Sequence, residues 1–462
     1  MPAKIFNFYS TKSLQDSVTW RGFQETYPLN PKLITTRTRI ADLGKPRIIV
    51  IGGGFGGLQL VKGLRSLKAQ VVLFDKYNHH TFQPLLYQVA TSGLETSAIV
   101  FPFRKRFSNQ ADFYFRLGEV KEIRPSENYI ETSIGGVRYD YLVIASGATT
   151  NFYGMEEVEH HAMAMKTITD AIKVRNRIIR NLEFALLADD PEVMNSLMDF
   201  VIVGGGPTGV ELAGALSELK RNVFPGDYKE LDLQQMDIHL VEAGPRLLNG
   251  MSAKASEKAQ EYLEKMGVKV HLNLAVKSYN GYEVIFNNGE KLVTRTLVWA
   301  AGVKGNPIHG LHEKALAKGN RIKVDEFNRV MGYDNIFAIG DVAVMEGDKN
   351  FAAGHPMMAP PAIQQGNLLA YNLRQLIGKK PMKPFAYKDQ GSMATVGRNK
   401  AVVDLKAFKS QGFIAWYIWM FVHLLSIIGF RNKVFTFFSW VWSYFSYDRS
   451  NRLIIGRPKE DI

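Results

Sequence analysis

Cysteine is absent from this chain of 462 residues. Its absence excludes disulfides, thiolate zinc sites, thiolate-ligated iron–sulfur clusters and any catalytic dithiol. The composition is otherwise ordinary for a globular protein, with 46% apolar and 22% charged residues. A chain of this length exceeds one compact core, so we expect two or three domains.

The first 44 residues show no apolar core of about 7–15 residues and no small-residue cleavage site, so no secretory signal is predicted. We expect an N-terminal extension that is packed on the body or partly ordered. A transit peptide is the weaker alternative, because Asp16 and Glu25 are unusual in such a segment.

Positive charge is concentrated at the other end of the chain. Residues 371–462 hold 15 Lys or Arg against 5 Asp or Glu, which accounts for most of the net charge of +13. A local basic excess indicates an anionic partner, either a lipid surface or nucleic acid, or else a solvated basic face.

The first strong pattern is a strand–loop–helix–strand unit. The apolar run Arg47–Ile51 leads directly into the glycine-rich segment Gly52–Gly57, and apolar residues at helical spacing follow. A second apolar run, Gln70–Phe74, ends at Asp75. Together these residues form one complete βαβ unit of about thirty residues.

The same pattern returns about 150 residues later. Asp199–Val203 is a predicted strand, Gly204–Gly209 a loop, and Asp237–Val241 the next strand, which ends at Glu242. Two such units predict an α/β fold with two nested Rossmann-like dinucleotide-binding domains.

Each glycine-rich loop has the spacing G-x-G-x-x-G. The first glycine makes the turn, the second lets the backbone approach a pyrophosphate, and the third lets the helix pack on the strand. The phosphates then lie on the helix N-terminus, where free N–H groups favour negative charge. The glycines in these roles are Gly52, Gly54 and Gly57 in the first loop and Gly204, Gly206 and Gly209 in the second.

An acidic residue closes the second strand of each unit. Asp75 follows Gly52 by 23 residues, close to the ~20 expected, whereas Glu242 follows Gly204 by 38 residues and requires an insertion. A carboxylate at this place accepts from a ribose 2′-OH and repels a 2′-phosphate. Glu242 therefore predicts NADH rather than NADPH; a solvated acid at the strand end is the alternative.

Three further strands run into small-residue turns, and two Asn-Gly pairs indicate β-hairpins. The hairpins are at Asn280-Gly281 and Asn288-Gly289. The strands are Tyr141–Ala145 before Ser146-Gly147, Leu297–Ala301 before Gly302, and Asn335–Ile339 before Gly340-Asp341.

The order of these elements resembles the flavoproteins with two dinucleotide-binding domains. The resemblance rests on the Gly52 loop, Ile144–Gly147, the Gly204 loop and Ile339–Asp341. It implies tightly but non-covalently bound FAD at the first loop, NADH at the second, and a hydrogen bond between the flavin ribityl chain and Asp341. The implied cofactor-binding residues are Gly52, Gly54, Phe55, Gly56, Gly57, Asp75, Lys76, Val120, Ala145, Ser146, Gly147, Gly340, Asp341, Ala362, Gly204, Gly206, Gly209, Glu242 and Gly302.

Members of this group that use a redox cysteine pair are excluded by the composition. Three segments, Asn78–Thr91, Gly204–Gly214 and Gly391–Val402, are similar to type II NADH:quinone oxidoreductases, in a match over about residues 46–455. The resemblance implies hydride transfer from NADH to FAD and then two electrons to a respiratory quinone, ubiquinone or menaquinone, without proton pumping. It also implies a homodimer, no metal, and peripheral attachment to the cytoplasmic face of the cell inner membrane.

Two motifs carry the candidate reaction residues. The quinone-site signature of that family, A-Q-x-A-x-Q, matches at Ala359, Ala362 and Gln364. Pro360 replaces the usual glutamine, and an ordinary helix start is the alternative. Glu211 matches an acid near the nicotinamide and the flavin, and is the candidate catalytic residue. Its alternative is a carboxylate in the first turn of a helix, favoured by the helix dipole.

The C-terminal segment is aromatic and poor in acids. Residues 413–430 contain no Asp, Glu, Lys or Arg, Arg431 and Lys433 follow, and residues 434–447 hold eight aromatics. Hydroxyls at helical spacing predict one narrow polar stripe. They belong to Thr436, Ser439, Ser443 and Ser446. Four of the six tryptophans lie here, namely Trp416, Trp419, Trp440 and Trp442.

Three interpretations of this tail compete. A single transmembrane span needs about 20 apolar residues, and 413–430 only reaches the lower limit. A buried core hairpin is the second. A pair of amphipathic helices in the membrane plane, with cations at the headgroups, fits the aromatics and the charge, and the family resemblance favours it. Nucleic acid is not expected, because the cations flank apolar helices and no binding motif is present.

The predicted division of the chain has five parts. They are an N-terminal extension (1–44), a first part of the FAD domain (45–165), an NADH domain (166–300), a second part of the FAD domain with the quinone-site helix (301–385), and a membrane-association region (386–462). Two other functions stay open: a soluble reductase of the same fold that serves a ferredoxin or rubredoxin, and a non-catalytic NADH-sensing flavoprotein.

Overall fold

The computed structural model describes residues 38–348, 350–447, 449 and 451–456. The predicted N-terminal extension lies almost entirely outside the described residues. In chain order the helices are α1 (Phe55–Gly63), α2 (Leu86–Ala90), α3 (Thr96–Ile99), α4 (Phe103–Arg106), α5 (Glu156–His161), α6 (Ile168–Ala185), α7 (Pro191–Met198), α8 (Pro207–Asn222), α9 (Phe224–Asp227), α10 (Ala253–Lys265), α11 (Ala359–Ile377), α12 (Phe413–Ser426) and α13 (Phe430–Ser446).

The strands belong to two larger parallel sheets and several small ones. In chain order they are β1 (Arg47–Ile51), β2 (Gln70–Asp75), β3 (His79–Thr81), β4 (Val100–Pro102), β5 (Phe113–Leu117), β6 (Val120–Arg124), β7 (Tyr129–Thr132), β8 (Val137–Arg138), β9 (Tyr141–Ile144), β10 (Ala148–Thr150), β11 (Met163–Ala164), β12 (Phe200–Val203), β13 (Ile238–Val241), β14 (Lys269–His271), β15 (Val276–Tyr279), β16 (Glu283–Phe286), β17 (Lys291–Val293), β18 (Thr296–Trp299), β19 (Val303–Gly305), β20 (Leu316–Ala317), β21 (Arg321–Val324), β22 (Ile336–Ala338), β23 (Ala343–Met345), β24 (Ser392–Gly397), β25 (Lys400–Leu405) and β26 (Phe408–Gln411).

The first predicted unit forms a five-stranded parallel sheet in the order β22-β9-β1-β2-β5. Its central strand is β1, where Ile49 lies opposite Val72 on one side and Leu142 on the other. An unbroken apolar run suits this place, because a central parallel strand is covered on both faces. One cover is the pair α1 and α11, whose Leu60 and Leu369 share a buried cluster with β1.

The second predicted unit forms another five-stranded parallel sheet, in the order β11-β18-β12-β13-β14. Ile202 of its central strand lies opposite Leu240 and Val298. Helix α8 covers one face, and its Leu216 belongs to the same buried cluster as Ile202. The predicted α/β fold with two Rossmann-like units is thereby confirmed.

The predicted hairpins are present in a small antiparallel sheet, β15-β16-β17. Gly281 and Gly289 take φ values of +92° and +87° at the two turns. Glycine adopts such positive φ values without the steric penalty that a side chain would bring. The insertion expected before Glu242 is also present, as α9 and the loop that leads to β13.

A two-stranded ribbon joins the two parallel sheets. β10 follows the turn at the end of β9 in the first sheet, and β19 follows the turn at the end of β18 in the second. They pair antiparallel, with Ala148 opposite Gly305 and Thr150 opposite Val303. The ribbon therefore links the carboxyl end of β9 to the carboxyl end of β18, one at each of its ends. Ligands of open α/β sheets bind at the carboxyl ends of strands.

The C-terminal part consists of the antiparallel sheet β24-β25-β26 and the hairpin of α12 and α13. The hairpin packs on the body by a narrow inner side. Its buried residues are Ala415 and Trp419 in α12 and Asn432 and Thr436 in α13. Thr436 is thus the inner end of the predicted hydroxyl stripe, while Ser439 is exposed.

The outer side of this hairpin is apolar. Its large exposed side chains are Phe413, Ile414, Tyr417, Phe421, Val422, Leu425, Phe430, Phe435, Phe437, Phe438, Val441, Trp442 and Phe445. The interpretation as a buried core hairpin is therefore wrong, because a core would cover these side chains. Within the described ranges, no helix combines the length and the hydropathy that a membrane crossing requires.

Candidate functional site

The first glycine-rich loop makes a tight turn between β1 and α1. Gly52 has φ +97°, and a Cβ there would lie 2.3 Å from the carbonyl oxygen of Ala145. A Cβ on Gly57 would lie 1.9 Å from the carbonyl oxygen of Gly52, so helix and strand touch at this point. Gly54, which caps α1, has open space where its Cβ would be. The geometry therefore matches the expected roles: Gly52 makes the turn, Gly54 leaves space for a phosphate, and Gly57 lets the helix pack on the strand.

The second loop repeats this geometry between β12 and α8. Gly204 has φ +111°, and a Cβ there would lie 2.7 Å from the backbone of Ala300. A Cβ on Gly209 would lie 1.9 Å from the carbonyl oxygen of Gly204, and Gly206 has open space. Two helix N-termini of the same construction are thus available to two phosphate groups.

Each loop is held by the acidic residue that was predicted at the end of the following strand. The Asp75 carboxylate accepts the backbone N–H of Gly53 at 2.6 Å, and Glu242 accepts that of Gly205 at 2.6 Å. Burial raises the pKa of Asp75 to about 6, while the N–H groups of Tyr77 and Gly53 lower it. Asp75 is therefore ionised at neutral pH, and each carboxylate keeps lone pairs for a ribose hydroxyl.

The Gly340-Asp341 turn closes the first loop from the other side. A Cβ on Gly340 would lie 3.4 Å from the Cβ of Ala362, and the Gly340 N–H donates to Gln365 Oε1 at 2.7 Å. Asp341 Oδ2 lies 3.6 Å from Lys166 Nζ. The glycine turn, the open helix N-terminus and the two carboxylates fit a dinucleotide such as FAD.

Other predicted contacts surround this loop. Lys76 pairs with Glu119 at 2.5 Å, and Val120 begins β6 with 9% of its surface exposed. A Cβ on Gly56 would lie 3.3 Å from the carbonyl oxygen of Ala362, so α1 and α11 approach closely here. A side chain at Gly56 would therefore make a tight contact with α11 and with Ile339.

His80, which belongs to neither glycine motif, also holds the first loop. Its Nδ1 lies 3.0 Å from the carbonyl oxygen of Gly53 and its ring lies 5.0 Å from that of Phe55. Burial lowers the pKa of His80 to about 4, so the ring is neutral. The only sequence signal was its position inside the segment Asn78–Thr91. Phe55 also meets Phe82, which contacts His423 of α12.

The turns at the ends of the two sheets are hydrogen-bonded across the β10–β19 ribbon. Ser146 Oγ donates to the carbonyl of Asn306 at 2.6 Å, and the Asn306 N–H donates to the carbonyl of Gly147 at 3.1 Å. In the other direction, the Asn151 N–H donates to the carbonyl of Gly302 at 3.3 Å. Because the two strands run antiparallel, Ser146 and Gly147 lie at one end of the ribbon and Gly302 lies at the other end.

The predicted quinone motif begins α11. Ala359 is the first residue of the helix, and Pro360 lies in its first turn, where its missing N–H costs no hydrogen bond. Ala362 is 6% exposed. The side-chain amide of Gln364 donates to the carbonyl of Lys388 at 2.9 Å and accepts its N–H at 3.0 Å. That amide is therefore bound to the backbone of Lys388.

Glu211 is the fifth residue of α8, beyond the first turn, so the helix-dipole alternative does not describe it. It is 7% exposed, and its carboxyl accepts the N–H of Thr395 at 3.4 Å. Burial raises the pKa of Glu211 to about 8, and the N–H of Thr395 lowers it in part. At neutral pH most of this carboxyl is protonated.

A cavity beneath the α12–α13 hairpin contains Glu211. It is lined by Tyr87, Gln88, Gly93, Glu211, Ala215, Glu218, Thr395, Gly397, Arg398, Trp416, Trp419, Met420, Trp440, Ser443, Tyr444 and Arg449. The indole N–H of Trp440 donates to Gln88 Oε1 at 2.8 Å, and Gln88 Nε2 donates to the Tyr87 hydroxyl at 2.9 Å. Among the described residues, no other predicted site residue lines this cavity.

Sequence profiles of two families match the chain. That of the pyridine nucleotide-disulphide oxidoreductases covers residues 46–366, and that of the NDH2 C-terminal domain covers residues 390–447. The fold and the two loops thus define a dinucleotide-dependent oxidoreductase of that class. A type II NADH:quinone oxidoreductase of Mycobacterium tuberculosis is 35% identical over 427 residues, 88% of this chain and 90% of that protein. The chain belongs to the type II NADH:quinone oxidoreductase family.

Further relatives agree with this placement. The mitochondrial internal alternative NAD(P)H-ubiquinone oxidoreductase A1 of Solanum tuberosum is 30% identical over 91% of this chain and 90% of its own. Among solved structures, NDH2 of Plasmodium falciparum in complex with NADH has a TM-score of 0.81 at 22% identity, covering 89% of this chain and 100% of that one. The sulfide:quinone oxidoreductase of Aquifex aeolicus has a TM-score of 0.66 at 19% identity, covering 88% of this chain and 92% of that one. At these identities the structures show a shared fold.

Proposed function

We propose that this chain is a membrane-associated flavoenzyme that oxidises NADH and reduces a quinone without pumping protons. One observation carries the proposal: two glycine turns of the same geometry serve two parallel sheets whose carboxyl ends are linked by the β10–β19 ribbon. FAD, when bound at the first loop, accepts a hydride from NADH and passes two electrons to the quinone. A relative with that named activity matches over nine-tenths of its own length.

The first loop is assigned to FAD. The open N-terminus of α1 at Gly54 holds the pyrophosphate, Asp75 accepts from the ribose, and Asp341 accepts from the ribityl chain. The open space at Gly54 and the ionised Asp75 support the assignment. The remaining proposed contacts are Gly52, Phe55, Gly56, Gly57, Lys76, Val120, Ala145, Ser146, Gly147, Gly340 and Ala362.

The second loop is assigned to NADH. The N-terminus of α8 at Gly206 receives the pyrophosphate, and Glu242 accepts from the adenosine ribose. Gly302, whose carbonyl accepts the N–H of Asn151 at the end of the β10–β19 ribbon, is assigned to the nicotinamide end. Because the chain has no cysteine, no dithiol relays the electrons.

The quinone is assigned to the start of α11. Ala359 and Ala362 provide small side chains there, and Gln364 fixes the wall by its two hydrogen bonds to Lys388. Glu211 is assigned to hold a proton on its buried carboxyl at neutral pH, in the cavity beneath the α12–α13 hairpin. A buried neutral acid can release its proton to an acceptor that gains negative charge.

The outer face of the α12–α13 hairpin is assigned to a lipid surface. Thirteen large apolar side chains are exposed on it, far more than a solvated helix pair tolerates. The homodimer, the cytoplasmic face of the inner membrane and the five-part domain division remain predictions.

Turnover with separate acceptors tests the proposal. The purified holoenzyme is mixed with NADH and one acceptor at a time: a short-chain quinone, ferredoxin or oxygen. The rate of NADH oxidation is measured by the loss of NADH absorbance. We expect quinone to support turnover far above the other two acceptors. Faster reduction of ferredoxin would favour the soluble reductase, and a long-lived reduced complex without turnover would favour the sensor.

A further inference from the structure

We infer that the lipid surface bound by this protein is anionic, and that a corner where the first dinucleotide-binding unit meets the C-terminal hairpin takes part in recognising it. The inference rests on the proposed membrane association and names the chemistry of its partner. The corner in question, the cationic corner, consists of Lys105 of α4 and of Arg431 and Lys433 at the start of α13.

The turn between α12 and α13 is docked on β4 and α3. Asn432 Nδ2 donates to the carbonyls of Val100 at 2.9 Å and Ser97 at 3.2 Å. The ring of Phe101 fills the space beside Gly429, where a Cβ would lie 2.4 Å from it. Residues that are far from the tail in sequence are thus held at the edge of its apolar face.

The cations of this corner lie on aromatic rings at that edge. Lys105 Nζ lies 5.7 Å from the ring centroid of Phe101, and the Arg431 guanidinium lies 4.8 Å from that of Phe435. The Lys433 ammonium donates to a carbonyl at the end of α12 at 2.6 Å. In the part of the chain that the structure describes, none of these three cations forms an ion pair.

The hairpin sequence supplies no acid to balance them. Residues 405–447 contain four Lys or Arg and no Asp or Glu, and Phe430, beside Arg431, is 84% exposed. Cations without an ion pair, bordering exposed aromatic and aliphatic side chains, match a layer of phosphate groups above acyl chains. Nucleic acid would match the cations but would leave the apolar face in water.

The expected size of the effect follows from charge. Each Lys or Arg near an anionic membrane surface contributes about 1 kcal/mol, or about fivefold in partitioning. Lys105→Gln alone should therefore weaken binding about fivefold, and the double variant K105Q/R431Q about twenty-fivefold. Both losses should disappear at high salt, because the interaction is screened.

The test measures co-sedimentation of the full-length holoenzyme with two kinds of vesicle, phosphatidylcholine alone and phosphatidylcholine mixed with phosphatidylglycerol. The variants are K105Q, K105Q/R431Q and the charge-preserving K105R/R431K. The matched control is K254Q/K277Q, which removes two exposed lysines elsewhere. FAD content and turnover with a water-soluble quinone verify that each variant is folded.

We expect the parent to prefer the mixed vesicles, K105Q and K105Q/R431Q to lose that preference stepwise, and K105R/R431K and the control to retain it. Two results would overturn the inference while leaving membrane association intact. In the first, the parent binds both kinds of vesicle equally well. In the second, K105Q/R431Q binds the mixed vesicles as well as the parent does. A parent that binds neither vesicle would overturn membrane association as well, and NADH:quinone turnover in solution would be judged separately.

Discussion

The Glu242 carboxylate accepts the backbone N–H of Gly205 at 2.6 Å and that of Gly244 at 2.7 Å. One side chain thus holds the second glycine loop and the turn that follows β13. Glu242→Gln leaves one of these N–H groups facing an amide NH₂. Because hydrogen bonds to charged groups contribute about 1.5–3 kcal/mol, we expect the KM for NADH to rise at least about tenfold.

The nucleotide preference should change in the same variant. Without the carboxylate the repulsion of a 2′-phosphate is lost, so the ratio of kcat/KM for NADH over NADPH should fall. Glu257→Gln on α10 is the control, since this acid is exposed and the N–H groups of Gly205 and Gly244 donate to Glu242 instead. A parent enzyme that uses NADPH as well as NADH would show that Glu242 does not select the nucleotide.

Substitution of the third glycine should impair FAD binding in the first loop and reduction by NADH in the second. A Cβ at Gly57 or Gly209 would lie 1.9 Å from a backbone oxygen, so alanine must push helix from strand in either case. Gly57→Ala should be purified with little FAD. Gly209→Ala should retain FAD, with its visible absorbance unbleached by NADH at concentrations that bleach the parent.

Gly250→Ala is the control for this pair, because its Cβ would meet open space. Flavin content and anaerobic bleaching are the two measurements. Loss of FAD from the Gly209 variant, with retention in the Gly57 variant, would reverse the assignment of the loops.

Glu211 should make stability depend on pH. Its folded pKa is about 8, whereas its ordinary value is 4.5. Between these values the unfolded chain releases the proton and the folded protein retains it, so this group lowers stability as pH rises from about 4.5 to about 8. Above the folded pKa the loss is complete.

Glu211→Gln removes this dependence. The variant should have a Tm close to that of the parent near pH 5, and a higher Tm near pH 8, when holoenzymes are compared by calorimetry. A constant Tm difference across that range would show that the carboxyl is already ionised at low pH in the folded state.

The exposed rings of the hairpin should control membrane binding. Phe421 and Phe438 are 61% and 63% exposed, and burial of such a side chain contributes about 1.5–3 kcal/mol. F421S/F438S should therefore lower binding to phosphatidylcholine vesicles by more than about a hundredfold, with FAD retained. Leu187→Ser, at a residue 78% exposed on the body, should have no effect. Undiminished binding of the double variant would place the lipid contact elsewhere.

The glycine loops could be predicted because their geometry is local. Gly52, Gly57 and Asp75 belong to one βαβ unit, in which strand, turn and helix follow directly in the chain. The same holds for the Asn-Gly hairpins, where the turn residues themselves dictate positive φ. The observed strand ends differ from the predicted ones by a residue or two. The predicted strand Asn335–Ile339, for example, is observed as Ile336–Ala338.

The surroundings of Glu211 could not be predicted, because they are assembled over long distances in sequence. Thr395 follows Glu211 by 184 residues, and Trp440 follows its partner Gln88 by 352. No periodic pattern links such positions. Likewise, adjacent glutamines in α11 face different neighbours: Gln364 meets Lys388, and Gln365 meets Gly340. The motif alone could not tell which amide the Gly340 turn uses.

The central claim is that electrons pass from NADH to FAD and then to a quinone without a thiol relay. Anaerobic titration of the holoenzyme with NADH, followed by a short-chain quinone, tests it most directly. We expect one equivalent of NADH to bleach the flavin absorbance fully and one equivalent of quinone to restore it. A flavin that NADH leaves oxidised, or that stays reduced after quinone is added, would contradict the account.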